Sequence, residues 1–187
     1  VKTARTGSDR VCVTLSADGK TLAERSSMAG QPVHLAVEHP RLWSPDDPYL
    51  YDLTVTLVRD GRVIDRAESY AALREIATGR DANGIERMTL NGRPLFHFGP
   101  LDQGWWPDGL YTAPTDEALL YDIRFTKQLG FNMIRKHIKV EPERWYWHCD
   151  REGILVWQDM PSGDMSTGKW EPVSYTHLRA HETGRNL

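Results

Sequence analysis

In three stretches between Val11 and Leu57, apolar and polar residues alternate with a period of two. Val11, Val13 and Leu15 interleave with Cys12, Thr14 and Ser16. Val33, Leu35 and Val37 interleave with His34 and Ala36. Tyr51, Leu53, Val55 and Leu57 interleave with Asp52, Thr54 and Thr56. Successive side chains of a strand point to opposite faces, so the pattern predicts strands with one face on a core and the other in water. Asp18-Gly19 and Asp60-Gly61 punctuate the runs, and Asp-Gly supplies the positive φ angles of a tight hairpin. Several short strands at this spacing predict an antiparallel β-sandwich.

Near Ile76 the pattern changes. Ile85 to Leu90, Asn91-Gly92, then Arg93 to Phe98 predict a second hairpin. After it, strand and helix signals alternate. Thr115 followed by Asp116 and Glu117 is a helix start, since a cap hydroxyl and two acids suit the exposed N–H groups of a first turn. Leu119, Ile123 and Thr126 keep helical spacing, and Gly130 is placed to end the helix in a left-handed conformation. Phe131 to Arg135 reads as a strand. Glu141-Pro142 opens a second helix with Pro at its first position, where no backbone donor is needed, and Gly153 closes it. Ile154 to Trp157 is the next strand. The order β-α-β-α-β, with apolar strands buried on both faces, predicts a parallel sheet with right-handed crossovers.

Composition removes several function classes. Lys and Arg total 23 against 26 Asp and Glu, a net charge of −3, so binding driven by phosphate neutralisation is not expected, and no nucleic-acid partner is predicted. No apolar run approaches the roughly 18–20 residues of a membrane span. The start, Val1-Lys2-Thr3-Ala4-Arg5, has no initiator Met and no apolar signal-peptide core. The two cysteines, Cys12 and Cys149, make neither a disulfide nor a zinc framework. His177 and His181 are four apart without the Glu of a zinc-protease helix, and there is no phosphate-binding glycine loop and no Gly-x-Ser-x-Gly elbow. No cofactor and no metal site are predicted.

In a parallel α/β unit, reactive groups gather where strands end and loops begin. Three such ends follow Phe98, Arg135 and Trp157. They bring Asp102, Gln103, Trp105 and Trp106, then Arg135 and His137, then Trp157, Gln158 and Asp159. Aromatic faces stack on the apolar C–H faces of sugars, while amide, carboxylate and guanidinium groups bind hydroxyls. These nine residues are the candidate substrate-binding set. Blander roles stand beside them. Trp105-Trp106 is either a ligand platform or a loop tucked onto the surface. Arg135 at a buried strand end needs an acidic partner, and His137 at such a place is often only hydrogen-bonded. Trp157 is read as part core, part rim, and Asp159 as a ligand contact or a helix cap. Trp145 and Trp147 fall in a helix and are read as packing. No spacing singles out an acid/base pair, so no catalytic residue is named.

Four motifs occur together in one order. Leu42-Trp43-Ser44-Pro45-Asp46-Asp47-Pro48-Tyr49-Leu50-Tyr51 resembles the signature in the immunoglobulin-like second domain of glycoside hydrolase family 2, which includes β-galactosidases, β-glucuronidases and β-mannosidases. Leu90 to Phe96 resembles the hairpin leading into that family's (β/α)8 barrel. Lys127 to Arg135 resembles its first helix and second strand, and Cys149 to Asp159 its second helix and third strand. The resemblance implies a multidomain β plus α/β protein: a partial immunoglobulin-like sandwich over residues 1–77, then the first three strands of a TIM barrel over residues 78–172. It implies a retaining exo-glycosidase acting on β-linked sugars through two Glu residues about 5 Å apart. In the family these lie near the fourth and seventh barrel strands, which the chain does not reach, so both are expected outside it and the chain alone is expected to be inactive. Arg135 matches the family's Arg near the catalytic carboxylates, and Asp102 and Gln103 fall where the family places sugar contacts.

Two departures mark a divergent branch. Arg135-Lys136-His137 replaces Arg-x-x-His, and Leu101-Asp102-Gln103-Gly104-Trp105-Trp106 replaces an Asn-Arg-His type loop. Residues 173–187 resemble peptides translated from sequencing-adapter DNA and are set apart from the fold. A barrel takes about 250 residues, so a partial one is expected to leave sheet edges and apolar helix faces open. The rival readings are a non-catalytic carbohydrate-binding module and an interaction sandwich with an appended α/β piece.

Overall fold

A computed structural model of the protein describes residues 9–161, which fall into two compact units: residues 9–41 with 50–73, and residues 42–49 with 74–161. The described chain is mostly β, with two helices.

The first unit is a single antiparallel sheet of β1 (Arg10–Ala17), β2 (Lys20–Met28), β3 (Tyr51–Arg59) and β4 (Arg62–Ala71), in the order β2-β1-β3-β4. Both hairpin turns fall on the Asp-Gly pairs. Asp18 and Gly19 have φ of 49° and 75°, and Asp60 and Gly61 of 49° and 76°, the twin positive angles that match the twist of the flanking strands. Val11, Leu15 and Tyr51 are buried. The Tyr51 hydroxyl accepts from the Arg41 N–H at 2.7 Å and donates to the Arg41 carbonyl at 3.1 Å. The expected strand over Val33 to Val37 is not formed. Alternation makes a strand only where a ladder partner lies alongside, and this stretch has none among the described residues.

The second unit holds two small sheets and two helices. β5 (Ile76–Arg80), β6 (Glu86–Leu90) and β7 (Arg93–Pro94) form an antiparallel sheet in that order, with Asn91 and Gly92 at φ of 52° and 72° in the second turn. The strand expected to reach Phe98 stops at Pro94, because the next residues change partner. The Asn132 side chain donates to the Phe96 carbonyl at 2.8 Å and accepts from the Phe98 N–H at 2.9 Å. That hands the chain to a parallel sheet of β8 (Leu101–Asp102), β9 (Met133–Lys136) and β10 (Leu155–Gln158), ordered β10-β9-β8. The first parallel strand is therefore Leu101–Asp102 and not Phe96 to Phe98. Gly99 makes the approach possible: a Cβ there would lie 1.7 Å from the Met133 carbonyl oxygen.

Helices α1 (Asp116–Gln128) and α2 (Glu143–Glu152) are the crossovers. Thr115 caps α1, its hydroxyl accepting from the Ala118 N–H at 3.1 Å, and Gly153 ends α2 at φ 77°. Pro142 precedes α2 with an extended ψ of 148° instead of opening it. Leu119 and Ile123 of α1 and Trp145 and Cys149 of α2 pack with Ile134 and Ile154 into one core. The strands are expected to be buried on both faces, and at their ends they are not. Met133, Ile134 and Lys136 are buried, but Arg135 is exposed and Trp157 is 42% exposed. The helices pack on the face of Ile134 and Lys136; on the other face Met133 and Leu155 are buried, while Arg135 and Trp157 at the strand ends are exposed.

Residues 42–49 belong to this α/β unit. Trp43 is fully buried, and its Nε1 donates to the Asp150 carbonyl at 2.7 Å. Asn91 donates to the Trp43 carbonyl at 3.0 Å. The Arg74 guanidinium lies 4.4 Å over the Trp43 ring and pairs with the Asp150 carboxylate at 2.8 Å. Lys127 donates to the Pro45 and Gly153 carbonyls. The expectation for residues 173–187 lies outside the described residues.

Candidate functional site

In a parallel sheet, residues in register share a face. Leu101, Arg135 and Trp157 form one row across β8, β9 and β10, and Asp102, Lys136 and Gln158 form the next. One step along a strand reverses the face, so the first row looks away from the helices, on the side that is open at the strand ends, and the second toward them. The candidate residues are thereby divided.

On the open side, Arg135 donates from Nε and from its terminal nitrogen to the two Asp159 oxygens, at 3.1 and 3.0 Å. The Arg135 side chain is 50% exposed, so its remaining N–H groups face solvent. The hydrogen bond from Arg135, aided by its charge and that of His137, holds the Asp159 carboxyl below the usual carboxylate range. The same bond to Asp159 raises the Arg135 guanidinium. Trp157 donates from Nε1 to His97 Nδ1 at 2.8 Å, with the rings 5.6 Å apart. That bond requires an unprotonated Nδ1, and burial lowers the His97 pKa in the same direction. His137 is half-buried, and its backbone N–H donates to the Asp102 carbonyl at 2.9 Å.

On the helix side, Asp102 and Gln158 enter a buried polar network. Lys136, 1% exposed, donates to Asp102 at 2.5 Å and to Glu141 at 2.9 Å, and its ammonium lies 4.5 Å from the Trp145 ring centre. Lys139 pairs with Glu141 at 2.8 Å. The Tyr146 hydroxyl donates to Gln158 Oε1 at 2.5 Å and accepts from the Glu141 N–H at 3.2 Å. Gln158 Nε2 donates to the Lys139 and Asp159 carbonyls at 2.8 and 2.7 Å. Burial pushes the Tyr146 phenol up to about 12. Lys136, Lys139, Glu141 and Tyr146 were not among the sequence candidates. A signal for Lys136 existed: it follows Ile134 by two residues and so shares its covered face, where an ammonium must find carboxylates.

The loop after β8 separates the two tryptophans. Trp106 packs on the helical core and exchanges backbone bonds with Leu110 at 2.7 and 2.9 Å, and its buried Nε1 has no hydrogen-bond partner among the described residues. Trp105 is 54% exposed, its ring 4.2 Å from that of Tyr111. Gln103 is exposed. Trp145 is buried in the core, and the Arg151 guanidinium covers the Trp147 ring at 4.4 Å. Among the described residues, no cluster of three or more His, Cys, Asp or Glu is arranged to hold a metal ion.

Residues 4–74 match the family model of the glycosyl hydrolases family 2. A β-galactosidase of Lactococcus lactis subsp. lactis is 30% identical over 146 residues, which is 78% of this chain and 14% of that protein. A β-glucuronidase from Ruminococcus gnavus, solved in complex with a C6-substituted uronic isofagomine, superimposes with a TM-score of 0.72 at 25% identity, covering 84% of this chain and 26% of its own. A glycosyl hydrolase family 2 member from Bacteroides cellulosilyticus gives a TM-score of 0.67 at 26% identity, over 81% of this chain and 22% of its own. The chain thus spans a small part of the proteins it matches.

Proposed function

The chain belongs to glycoside hydrolase family 2, and on that premise we propose that it is part of a retaining exo-glycosidase that hydrolyses O-glycosidic bonds of β-linked sugars. In this reading the four-stranded sheet is one layer of an immunoglobulin-like sandwich within residues 1–77. The parallel strands are the first three of a (β/α)8 barrel within residues 78–172. The observation that carries it is the Arg135–Asp159 fork beside Trp157, on the open side of the strand ends. A guanidinium held charged, with free N–H groups turned outward, can bind a sugar hydroxyl or a reacting carboxylate, and an indole beside it can take a C–H face. His137 joins that wall. Asp102 and Gln158 act from behind it through Lys136 and Tyr146, and Trp106 anchors the loop that carries Gln103 and Trp105. In this reading the two catalytic Glu residues belong to later barrel strands, and no Glu of these 187 residues is assigned to the pair.

The test uses the full-length protein that carries this segment, with aryl β-glycosides. Arg135→Ala is expected to lower kcat/KM at least about 100-fold, the scale of a lost transition-state contact, without loss of fold. A change below about threefold would remove Arg135 from the site. The 187-residue chain alone is expected to give no turnover above the buffer rate, and turnover would show that the catalytic pair lies within it. A second reading, a carbohydrate-binding module without catalysis, is favoured by the exposed Trp105 ring. It predicts saturable sugar binding by a full-length protein that hydrolyses nothing.

A further inference from the structure

We propose that Lys139 is a positioning residue that holds the 104–111 loop as a two-ring platform for the apolar face of a pyranose, an inference that rests on the carbohydrate reading above. The Lys139 side chain is 10% exposed, and its ammonium has three donors. It donates to the Gly104 carbonyl at 2.8 Å and to the Tyr111 carbonyl at 2.8 Å, and its charge pairs with Glu141 Oε1 at 2.8 Å. The two carbonyls are the two ends of the loop, so one buried cation ties it closed. Inside the loop, Trp106 and Leu110 pair through their backbones, and Trp106 is packed into the core. Trp105 therefore stands between a tied residue and an anchored one, against Tyr111, with both rings more than half exposed.

The fit leaves no slack. Gly104 has φ +66°, and a Cβ there would come within 2.6 Å of Glu141 Oε1 and 2.7 Å of Lys139 Nζ. The backbone thus rests directly on the ion pair. Lys139 is itself fixed to β10, since its carbonyl accepts from Gln158 at 2.8 Å, one residue from Trp157 and one from Asp159. Two preset aromatic rings lose little freedom on binding, and these two stand at 42° to each other. Such exposed rings suit a β-configured pyranose, whose axial C–H bonds form an apolar patch.

The test is NMR of the indole N–H signals of the 187-residue chain, titrated with methyl β-D-glucopyranoside and, as a control lacking a ring face, sorbitol. Trp105 is assigned from Trp105→Phe. The glucoside is expected to shift the Trp105 signal saturably and sorbitol is not. Lys139→Met is expected to move the sugar-free Trp105 signal out of the Tyr111 ring current and to weaken binding about tenfold, the scale of one aromatic contact, while the Trp43 and Trp145 signals stay in place. Gly104→Ala, which displaces the ammonium from the loop side, is expected to do the same, and carries the test if Lys139→Met loses the Trp43 and Trp145 signals. An unmoved Trp105 signal with unchanged affinity in the variants overturns the inference, as does a wild-type Trp105 that no concentration of glucoside shifts. Binding at Trp105 without hydrolysis by the full-length protein would overturn the glycosidase reading and leave the platform standing. Hydrolysis with a silent Trp105 would do the reverse.

Discussion

Asp159 receives two N–H bonds from Arg135, and that pairing holds its carboxyl below the ordinary value of about 3.9. Its contribution to stability is therefore fully present above the unfolded-state value and is lost as pH falls through the lower folded one. An NMR titration of the side-chain carboxyl is expected to place its midpoint below that of a free Asp, and Arg135→Ala to return it upward. An unshifted midpoint in the wild type would mean that the fork is open in solution. Cys149 is pushed the other way, since burial raises its thiol well above the ordinary range. In the native protein at pH 8 iodoacetamide is expected to modify the half-buried Cys12 and spare Cys149, read by mass spectrometry of tryptic peptides; equal labelling would contradict the buried site. Arg135 and Asp159 were both legible in the sequence because they close apolar strands. Asp102 and Gln158 were legible as strand-end residues, but their side of the sheet was not. Facing depends on register, and β8 has only two residues to set it.

Helix α2 is tied to β10 through Tyr146. Tyr146→Phe removes the bonds to Gln158 and to the Glu141 N–H and is expected to cost about 1–3 kcal/mol, measured by urea denaturation near neutral pH. Because burial lifts the folded phenol to about 12, above an unfolded value of about 10, the stabilisation holds below the unfolded value. It is lost as pH climbs through that window. Absorbance at 295 nm should show one tyrosine resisting ionisation until the alkaline limit, and the Phe variant should show a flatter alkaline loss of stability. If every tyrosine ionises near pH 10, Tyr146 is not buried as described. At this scale the sequence was most informative. The Asp-Gly and Asn-Gly turns, the Thr115 cap and the Gly153 stop are local requirements of φ and of unpaired N–H groups, and they occur where expected. Val33 to Val37 shows the limit, because a ladder needs a second strand that no local pattern supplies.

Across the second unit, Trp43 joins residues far apart in the chain. Its indole N–H reaches the carbonyl of Asp150, 107 residues on, under the Arg74 guanidinium. Trp43→Ala is expected to cost about 3–5 kcal/mol, the range for removing a large buried aromatic, read from a denaturant melt. A cost under about 1 kcal/mol would show that residues 42–49 are not packed into that unit. Large apolar side chains remain exposed on both layers of the unit, Phe96 at 82% and Phe98 at 54% beside the sheet, and Tyr121 at 66% and Leu129 at 57% on or just after α1. In the proposed reading these are the faces that the rest of a barrel would cover; the chain spans 14% of the β-galactosidase relative it matches.

The amino-acid sequence by itself determined the turns, the caps, the β-α-β-α-β order and the motifs that led to the family, because each is set by residues within a few positions of one another. Only the tertiary structure decided the division of the strand-end residues between two faces. It alone showed the burial of Lys136 and Lys139 among carboxylates and carbonyls, and the partner of the Trp43 segment. Those features depend on register and on contacts across tens of residues, where a buried charge or an indole N–H must find whatever partner the folded chain brings within about 3 Å.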